Sequence, residues 1–518
     1  MLKRRTALVA TAIALFMSSS AVAQDVEIYD PGSTVTKSDE YVFTVGWSNP
    51  FLHSTLSVQP PAVTEIGIRG DWNYCTSSKD PVCDFTAAKW GQDERGIVGM
   101  SVLPLCSNEA AENCLENLEI AYQGNSFTPA KHLRELSSGL TQQPDSALNY
   151  LGGATASVWD DSSIPNSLGR TYLTNIVYSV GYNPDLKKFS INNIAFGITP
   201  YREVSGNFKA PSINPAMPAN TRIDWGGDRS TFWAEDGRAG IAVGFPKDVR
   251  FRMTARVTNT ITGWYKARLQ DPVVSINKFS KSNNRVVIEG KPVSVPTFAY
   301  KKSKLEFAPK ENKWWQNNGQ SNNTTPAASD QLDIFEYIDY FRPLVGDRVA
   351  GFNSFWTVNS TNWGNDNKCL MDSSRVVGIV STNAMGFNGS SPSYTNGALE
   401  YQVSGMHYNP DGQSLVEGTY DLLLRSDAAR CLYGFSNAPI QASISVTGDQ
   451  TQKTAVTSMV ERDGWIKLAA YGFNFSNPKI SVKLAQTQVK RSITCVQGKK
   501  RITVRAVLPK CPAGFKKR

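Results

Sequence analysis

Histidine is nearly missing from this 518-residue sequence, which holds only His53, His132 and His407. Three histidines isolated in sequence leave little material for a His-based catalytic triad or a His-rich metal site. The short motifs that announce common chemistries are also missing: there is no G-x-S-x-G elbow, Walker A loop, H-E-x-x-H or G-x-G-x-x-G. Ser275 and Lys278 have S-x-x-K spacing, but no S-D-N or K-T-G follows, and so short a pattern arises by chance in a long chain. After Met17 no apolar run approaches the ~20 residues that span a bilayer, so no transmembrane span is expected in the mature chain.

Acidic residues are absent from one long stretch. From Gly464 to Arg518 there are 13 basic residues and no acidic one. The overall charge of +9 includes Lys3, Arg4 and Arg5, which lie in a segment expected to be removed, leaving 51 basic against 45 acidic residues. Without the basic end, residues 24–463 hold 38 basic against 45 acidic residues. What looks like a basic protein is therefore an acidic body with a cationic end.

Residues 1–23 have the three parts of a secretory signal: cationic Lys3-Arg4-Arg5, an apolar run from Ala7 to Met17, and Ala21-Val22-Ala23 as a small-residue cleavage site. No lipobox cysteine lies near that site and no LPxTG signal closes the chain. The expected localisation is secreted, either extracellular or held non-covalently at the cell envelope. All eight cysteines fall after the signal, which suits an oxidising compartment. Proximity pairs Cys75 with Cys83, Cys106 with Cys114 and Cys495 with Cys511, leaving Cys369 with Cys431. No C-x-x-C pair offers the close ligands that a zinc site needs, so no metal site is expected from them.

Hydrophobic periodicity is that of strands. Val249, Phe251, Met253, Ala255 and Val257 alternate with Arg250, Arg252, Thr254, Arg256 and Thr258, the pattern of a half-buried strand. Phe189–Ile191 and Ile194–Ile198 repeat the theme around an expected Asn192-Asn193 turn. Leu399, Tyr401 and Val403 continue it ahead of Asn409-Pro410-Asp411-Gly412, a strong turn sequence. Short helices are expected at Ala111–Ile120 and Lys131–Leu140, and Leu332–Phe341 suits either helix or strand. The fold class is mainly β: tandem β-sandwich-like domains with few short helices and a C-terminal disulfide hairpin. The expected order is a signal at 1–23, an N-terminal β domain at 24–205 and a middle β region at 206–307 that either stands alone or completes the first. A polar linker at 308–331, a C-terminal β-sandwich-like module at 332–487 and a basic disulfide tail at 488–518 follow.

Several segments carry a resemblance. Phe341-Arg342-Pro343-Leu344-Val345-Gly346-Asp347-Arg348, Asn353-Ser354-Phe355-Trp356-Thr357-Val358-Asn359, Gly378–Met385, Met406-His407-Tyr408-Asn409-Pro410-Asp411-Gly412, Tyr420–Ser426 and Ala429–Phe435 resemble a C-terminal module of secreted, mostly uncharacterised actinobacterial proteins. Thr494–Lys500 and Pro509–Arg518 are similar to a basic two-cysteine tail found on many such exported proteins. The resemblance covers about a third of the chain and implies a lineage and a location; it carries over no activity and no site residues.

Candidate chemistry is concentrated in two places. Residues 223–238 combine Asp224, Asp228, Glu235 and Asp236 with Trp225 and Trp233, the composition of a glycan site that needs an acid, a base or nucleophile and a flat ring. The same residues also suit a turn at Gly226-Gly227 with tryptophans packed beneath and carboxylates paired to Arg229 or Arg238. Trp314-Trp315 resembles a sugar-stacking strip in composition, or else docks the linker onto a neighbour. Asp160-Asp161 and Asn365-Asp366-Asn367 offer oxygen donors for calcium without the spacing of an EF-hand, and no other cofactor is expected. The tail presents Lys499, Lys500, Arg501, Lys510, Lys516, Lys517 and Arg518 to anionic cell-envelope polymers or lipid headgroups. Expected export and the lack of a recognition module count against nucleic acid, and no nucleic-acid partner is expected. The expected function is a non-catalytic envelope protein that binds anionic or glycan polymers; the alternative is an extracellular glycan-active hydrolase using the 223–238 carboxylates.

Overall fold

The computed structural model describes residues 40–46, 52–59, 73–88, 96–161, 164, 171–224, 226, 231–303, 323–326, 328–329, 333–361, 367–372, 374–389, 391–436, 440–447, 456–475, 479–486, 491–506 and 509–518. The expected signal at 1–23 lies outside them. The described chain is mainly β, with tandem sandwich-like layers and two α-helices, Asp333–Phe341 and Ser426–Tyr433. No helix among the described residues is long and apolar enough to cross a membrane.

The strand Val249–Thr258 shows how alternation builds the first layer. Val249, Phe251, Met253, Ala255 and Val257 are buried, while Arg250, Arg252 and Arg256 on the other face pair with Glu289 and Glu116. This strand lies between Cys114–Tyr122 and Asn283–Thr297, both antiparallel, and the latter pairs with Gly263–Lys278. Gly263–Lys278 passes from this layer into a facing sheet, where its first residues pair with Gly351–Thr361 and Val376–Thr382 and which also contains Gly96–Val102, Thr171–Asn183, Lys188–Ser205, Glu417–Arg425 and Trp465–Asn474. Phe251, Leu118, Tyr172, Tyr178, Phe196 and Trp356 fill the core between them. Each such fully buried side chain contributes ~1.5–3 kcal/mol of burial free energy.

A second core lies on the other face of the same sheet. Leu422, Leu424 and Leu468 pack there with Leu399, Tyr401, Val403, Ile480 and Val482 of a further sheet and with Ile334, Tyr337, Ile338 and Phe341 of the first helix. The seven residues of Val376–Thr382 are all buried. Val376 and Ile379 face the first core and Val377 and Val380 the second. A strand covered on both faces reads as a near-continuous apolar run, as this one does.

Strand pairing crosses the boundaries expected from the sequence. Gly351–Thr361, inside the expected C-terminal module, pairs with Lys188–Ser205, Gly263–Lys278 and Asn283–Thr297, so the boundary drawn in the sequence does not divide the sheet. Residues 206–307 contribute strands that pair with those of 24–205: Arg238–Ala242 with Lys188–Ser205 and Val249–Thr258 with Cys114–Tyr122. Within the expected linker, Asn323–Pro326 pairs with Glu40–Gly46 and Ala328–Ser329 with Gly386–Asn388. Backbone hydrogen bonding to a strand edge needs no apolar side chain, which is why the polar composition there did not signal it.

Three local expectations also change. Ala111–Ile120 is mostly the strand Cys114–Tyr122, and Lys131–Leu140 begins as the strand Lys131–Glu135. Leu332–Phe341 resolves to a helix over Asp333–Phe341. Phe189–Ile198 is uninterrupted within Lys188–Ser205, with a bulge at Asn192 where a turn was expected. The turn at Asn409–Gly412 forms as expected, with the Gly412 N–H donating to the Asn409 carbonyl at 2.9 Å and Gly412 at φ 69°. All four expected disulfides, Cys75–Cys83, Cys106–Cys114, Cys369–Cys431 and Cys495–Cys511, are formed.

Candidate functional site

The 223–238 cluster forms around a tight hairpin, Trp233–Glu235 and Arg238–Ala242, joined by Asp236-Gly237 with Gly237 at φ 80°. Glu235 is 2% exposed; its carboxylate accepts from Arg134 and from the Ser137 backbone N–H, and forms an ion pair with Arg238 Nε at 2.7 Å. Trp233 is buried, edge-on to Tyr201 at 5.1 Å, and the Arg134 guanidinium stacks 5.6 Å from its ring centre. Asp236 accepts from the Ala210 N–H and so ties the hairpin to the chain around residue 210, and Asp224 accepts from the Gly226 N–H and fixes a local turn. A glycosidase needs one carboxyl as proton donor and another facing the sugar ring; the three described carboxyls instead hold arginines and backbone. Asp228, Trp225, Trp314 and Trp315 lie outside the described residues.

Candidate calcium positions separate in the same way. Asp160 ends the strand Ser157–Asp160 and Asp161 is buried beside it. Of Asn365-Asp366-Asn367 only Asn367 is described, and its side-chain oxygen accepts from the Cys369 N–H. Among the described residues no group of three or more His, Cys, Asp or Glu is placed to hold a metal ion.

The tail is a three-stranded sheet. Arg491–Gln497 and Lys500–Ala506 form an antiparallel hairpin around Gly498 at φ 58°, and Lys516–Lys517 pairs on the other side of the first strand. Ile493, Ile502 and Val504 are half-buried and Cys495 fully buried, bonded to Cys511. Lys499, Lys500, Arg501, Arg505, Lys510, Lys516, Lys517 and Arg518 are all exposed. None of the eight forms an ion pair among the described residues, and Asp463 is the last acidic residue of the chain. A segment too short to own a core is thus held by a disulfide whose loop closure removes ~3 kcal/mol of unfolded-state entropy.

Two polar groupings had no sequence signal, because their members are far apart in the chain. Asp421 is fully buried on the shared sheet and accepts from Tyr471 Oη at 2.7 Å and from the Asp271 N–H at 3.3 Å. Burial pushes its carboxyl up to about 7, against the Tyr471 hydrogen bond and the nearby Lys467 charge. Asp271 is half-exposed, sits at φ 55° and pairs with Lys467 and with Arg250 at 2.7 Å. Burial opposes its ionisation, but Lys467 and Arg250 outweigh that and hold it below the usual carboxylate range.

The second grouping joins two of the resemblance segments. His407 Nδ1 and its backbone N–H both bond to Asp347, and Arg342 reaches Asp347 at 3.4 Å and the Phe475 carbonyl at 3.3 Å. Burial disfavours the Asp347 anion, yet the His407 hydrogen bonds keep its carboxyl below the usual range. Asp–His pairing is half of a triad, but no serine or cysteine side chain bonds to His407 among the described residues. The Val349 and Tyr408 N–H groups donate to the Tyr408 and Asp347 carbonyls, so the cluster ties the two loops together. No protein-family model and no curated protein sequence matches the chain.

Proposed function

We propose that the protein is exported and works as a non-catalytic component of the cell envelope, held there by its cationic tail against anionic polymers. The observation that carries this reading is the tail sheet, whose eight exposed cations have no carboxylate partner among the described residues while the rest of the mature chain is net acidic. Four disulfides fit an oxidising compartment, and the resemblance of the tail to those of secreted actinobacterial proteins points the same way. Each cation near an anionic surface contributes ~1 kcal/mol, so a group of this size suffices for reversible retention. The ion pairing of Glu235 and the burial of Trp233 give the glycan-hydrolase reading no support. Binding of the mature chain to isolated envelopes should weaken steeply with added salt, because screened and released counterions govern such contacts. Salt-independent binding would contradict the reading.

A further inference from the structure

Strand register sorts the tail cations by face. Residues directly opposite in neighbouring strands share a face, and successive residues alternate. Arg501 lies opposite Val496, which lies opposite Lys516. Two residues along, Thr503 lies opposite Thr494, whose carbonyl accepts from the Arg518 N–H at 2.9 Å. Two further along, Arg505 lies opposite Ser492. One face therefore carries Arg501, Lys516, Arg518 and Arg505 around the hydroxyls of Thr503, Thr494 and Ser492. The opposite face carries the apolar residues that surround the disulfide, with Lys500 and Lys517 beside them.

We propose that the hydroxyl-bearing face recognises a linear phosphodiester polymer, with its rows in register with successive phosphates. This rests on the reading that the tail contacts an anionic envelope. Two residues along a strand span roughly 7 Å and two strands across span roughly 10 Å. A polymer with one phosphodiester per three-carbon polyol repeats on the scale of the first spacing. Successive phosphates then meet Arg501 with Lys516, next Arg518 beside Thr494, and next Arg505 beside Ser492. Arginine binds phosphate oxygens as a planar fork, which a lysine cannot do, and Arg501, Arg505 and Arg518 all fall on this face. Hydroxyls between them supply neutral donors to the remaining oxygens. A fluid layer of lipid headgroups needs no register and would be met equally by the lysines of the turn and of the opposite face.

Binding of the mature chain to synthetic poly(glycerol phosphate) of defined length, and to vesicles of phosphatidylglycerol and phosphatidylcholine, separates these cases. Arg501→Gln with Arg505→Gln removes two charges from the recognition face, and Lys500→Gln with Lys517→Gln removes two from the other; thiol titration checks that Cys495–Cys511 stays closed. The first pair should weaken polymer binding by about tenfold and flatten the log-log salt dependence by about 1.5, while the second leaves it within about threefold. Arg501→Lys with Arg505→Lys preserves charge and should still lose polymer affinity without changing vesicle binding. Equal losses from both faces, no loss on Arg-to-Lys exchange, or tighter binding to vesicles than to polymer per phosphate would overturn the register while leaving the tail as an envelope contact. Undiminished binding of a chain ending at residue 487 to both probes would instead overturn the envelope reading itself.

Discussion

The Tyr471 hydroxyl donates a 2.7 Å hydrogen bond to the Asp421 carboxyl, in the sheet that the two hydrophobic cores share. Asp271, Lys467, Tyr471 and Tyr420 are titratable groups that act on or are acted on by Asp421, and burial dominates, raising its carboxyl from 3.8 to about 7. Below about pH 4 the group is protonated in folded and unfolded chains alike. Between about 4 and 7 the unfolded chain releases a proton that the folded chain keeps, so stability falls as pH rises through that window. Asp271, Asp347 and Asp372 act in the opposite sense, since their lowered carboxyls lose stabilisation only as pH falls. Asp421→Asn imitates the protonated form. Urea unfolding across this window should show a flatter profile for the variant and equal or greater stability than the parent near pH 8; parallel profiles would count against the assignment.

Glu235 anchors the hairpin that was the candidate glycan site. Glu235→Ala leaves Arg134 and the Ser137 N–H without their buried acceptor and should cost about 3–5 kcal/mol in denaturant unfolding. Glu235→Gln retains an acceptor and should cost less. Full stability of Glu235→Ala together with a change in glycan binding would assign the residue to a ligand instead.

Cys369–Cys431 ties the 367–372 loop to the helix Ser426–Tyr433 across a sequence separation of 62. Its loop-closure entropy corresponds to about 4 kcal/mol. Replacing both cysteines with serine should lower the thermal midpoint by more than removal of Cys75–Cys83, whose separation is 8. The reverse order in calorimetry would show that strain or residual structure dominates.

Gly378 faces Trp264 across the shared sheet, and a Cβ there would lie 2.4 Å from the indole ring. The Trp264 indole N–H donates to the Leu370 carbonyl at 2.8 Å, so the ring has little room to retreat. Gly378→Ala should destabilise by about 1–3 kcal/mol. A neutral result in urea unfolding would mean that the second core is looser than its packing indicates.

The strand Val249–Thr258 was legible because its alternation is unbroken, and the disulfides because most partners are near in sequence. Cys114–Tyr122 was read as helix because a bulge at Glu116 shifts the alternation. Leu115 and Leu118 are both buried, three residues apart, which imitates helical spacing. Leu133 is skipped in the same way by a bulge in Lys131–Glu135. The union of the two sandwiches rests on pairing between strands such as Ala195–Ile198 and Trp356–Asn359, a long-range choice that no local pattern encodes. Polar groupings such as Asp421 with Tyr471 and Asp347 with His407 were hidden for the same reason. The hairpin and disulfide of the tail were legible because its charge, its cysteines and its turn lie within one short segment, whereas the third strand, Lys516–Lys517, carries no alternation to signal it.

Retention by the tail is most directly measured by fractionating cells that express the full chain or a chain ending at residue 487. The full chain should be found with the envelope and be released by high salt, and the truncated chain should appear in the medium. Envelope association of the truncated chain at the level of the full one would contradict the account.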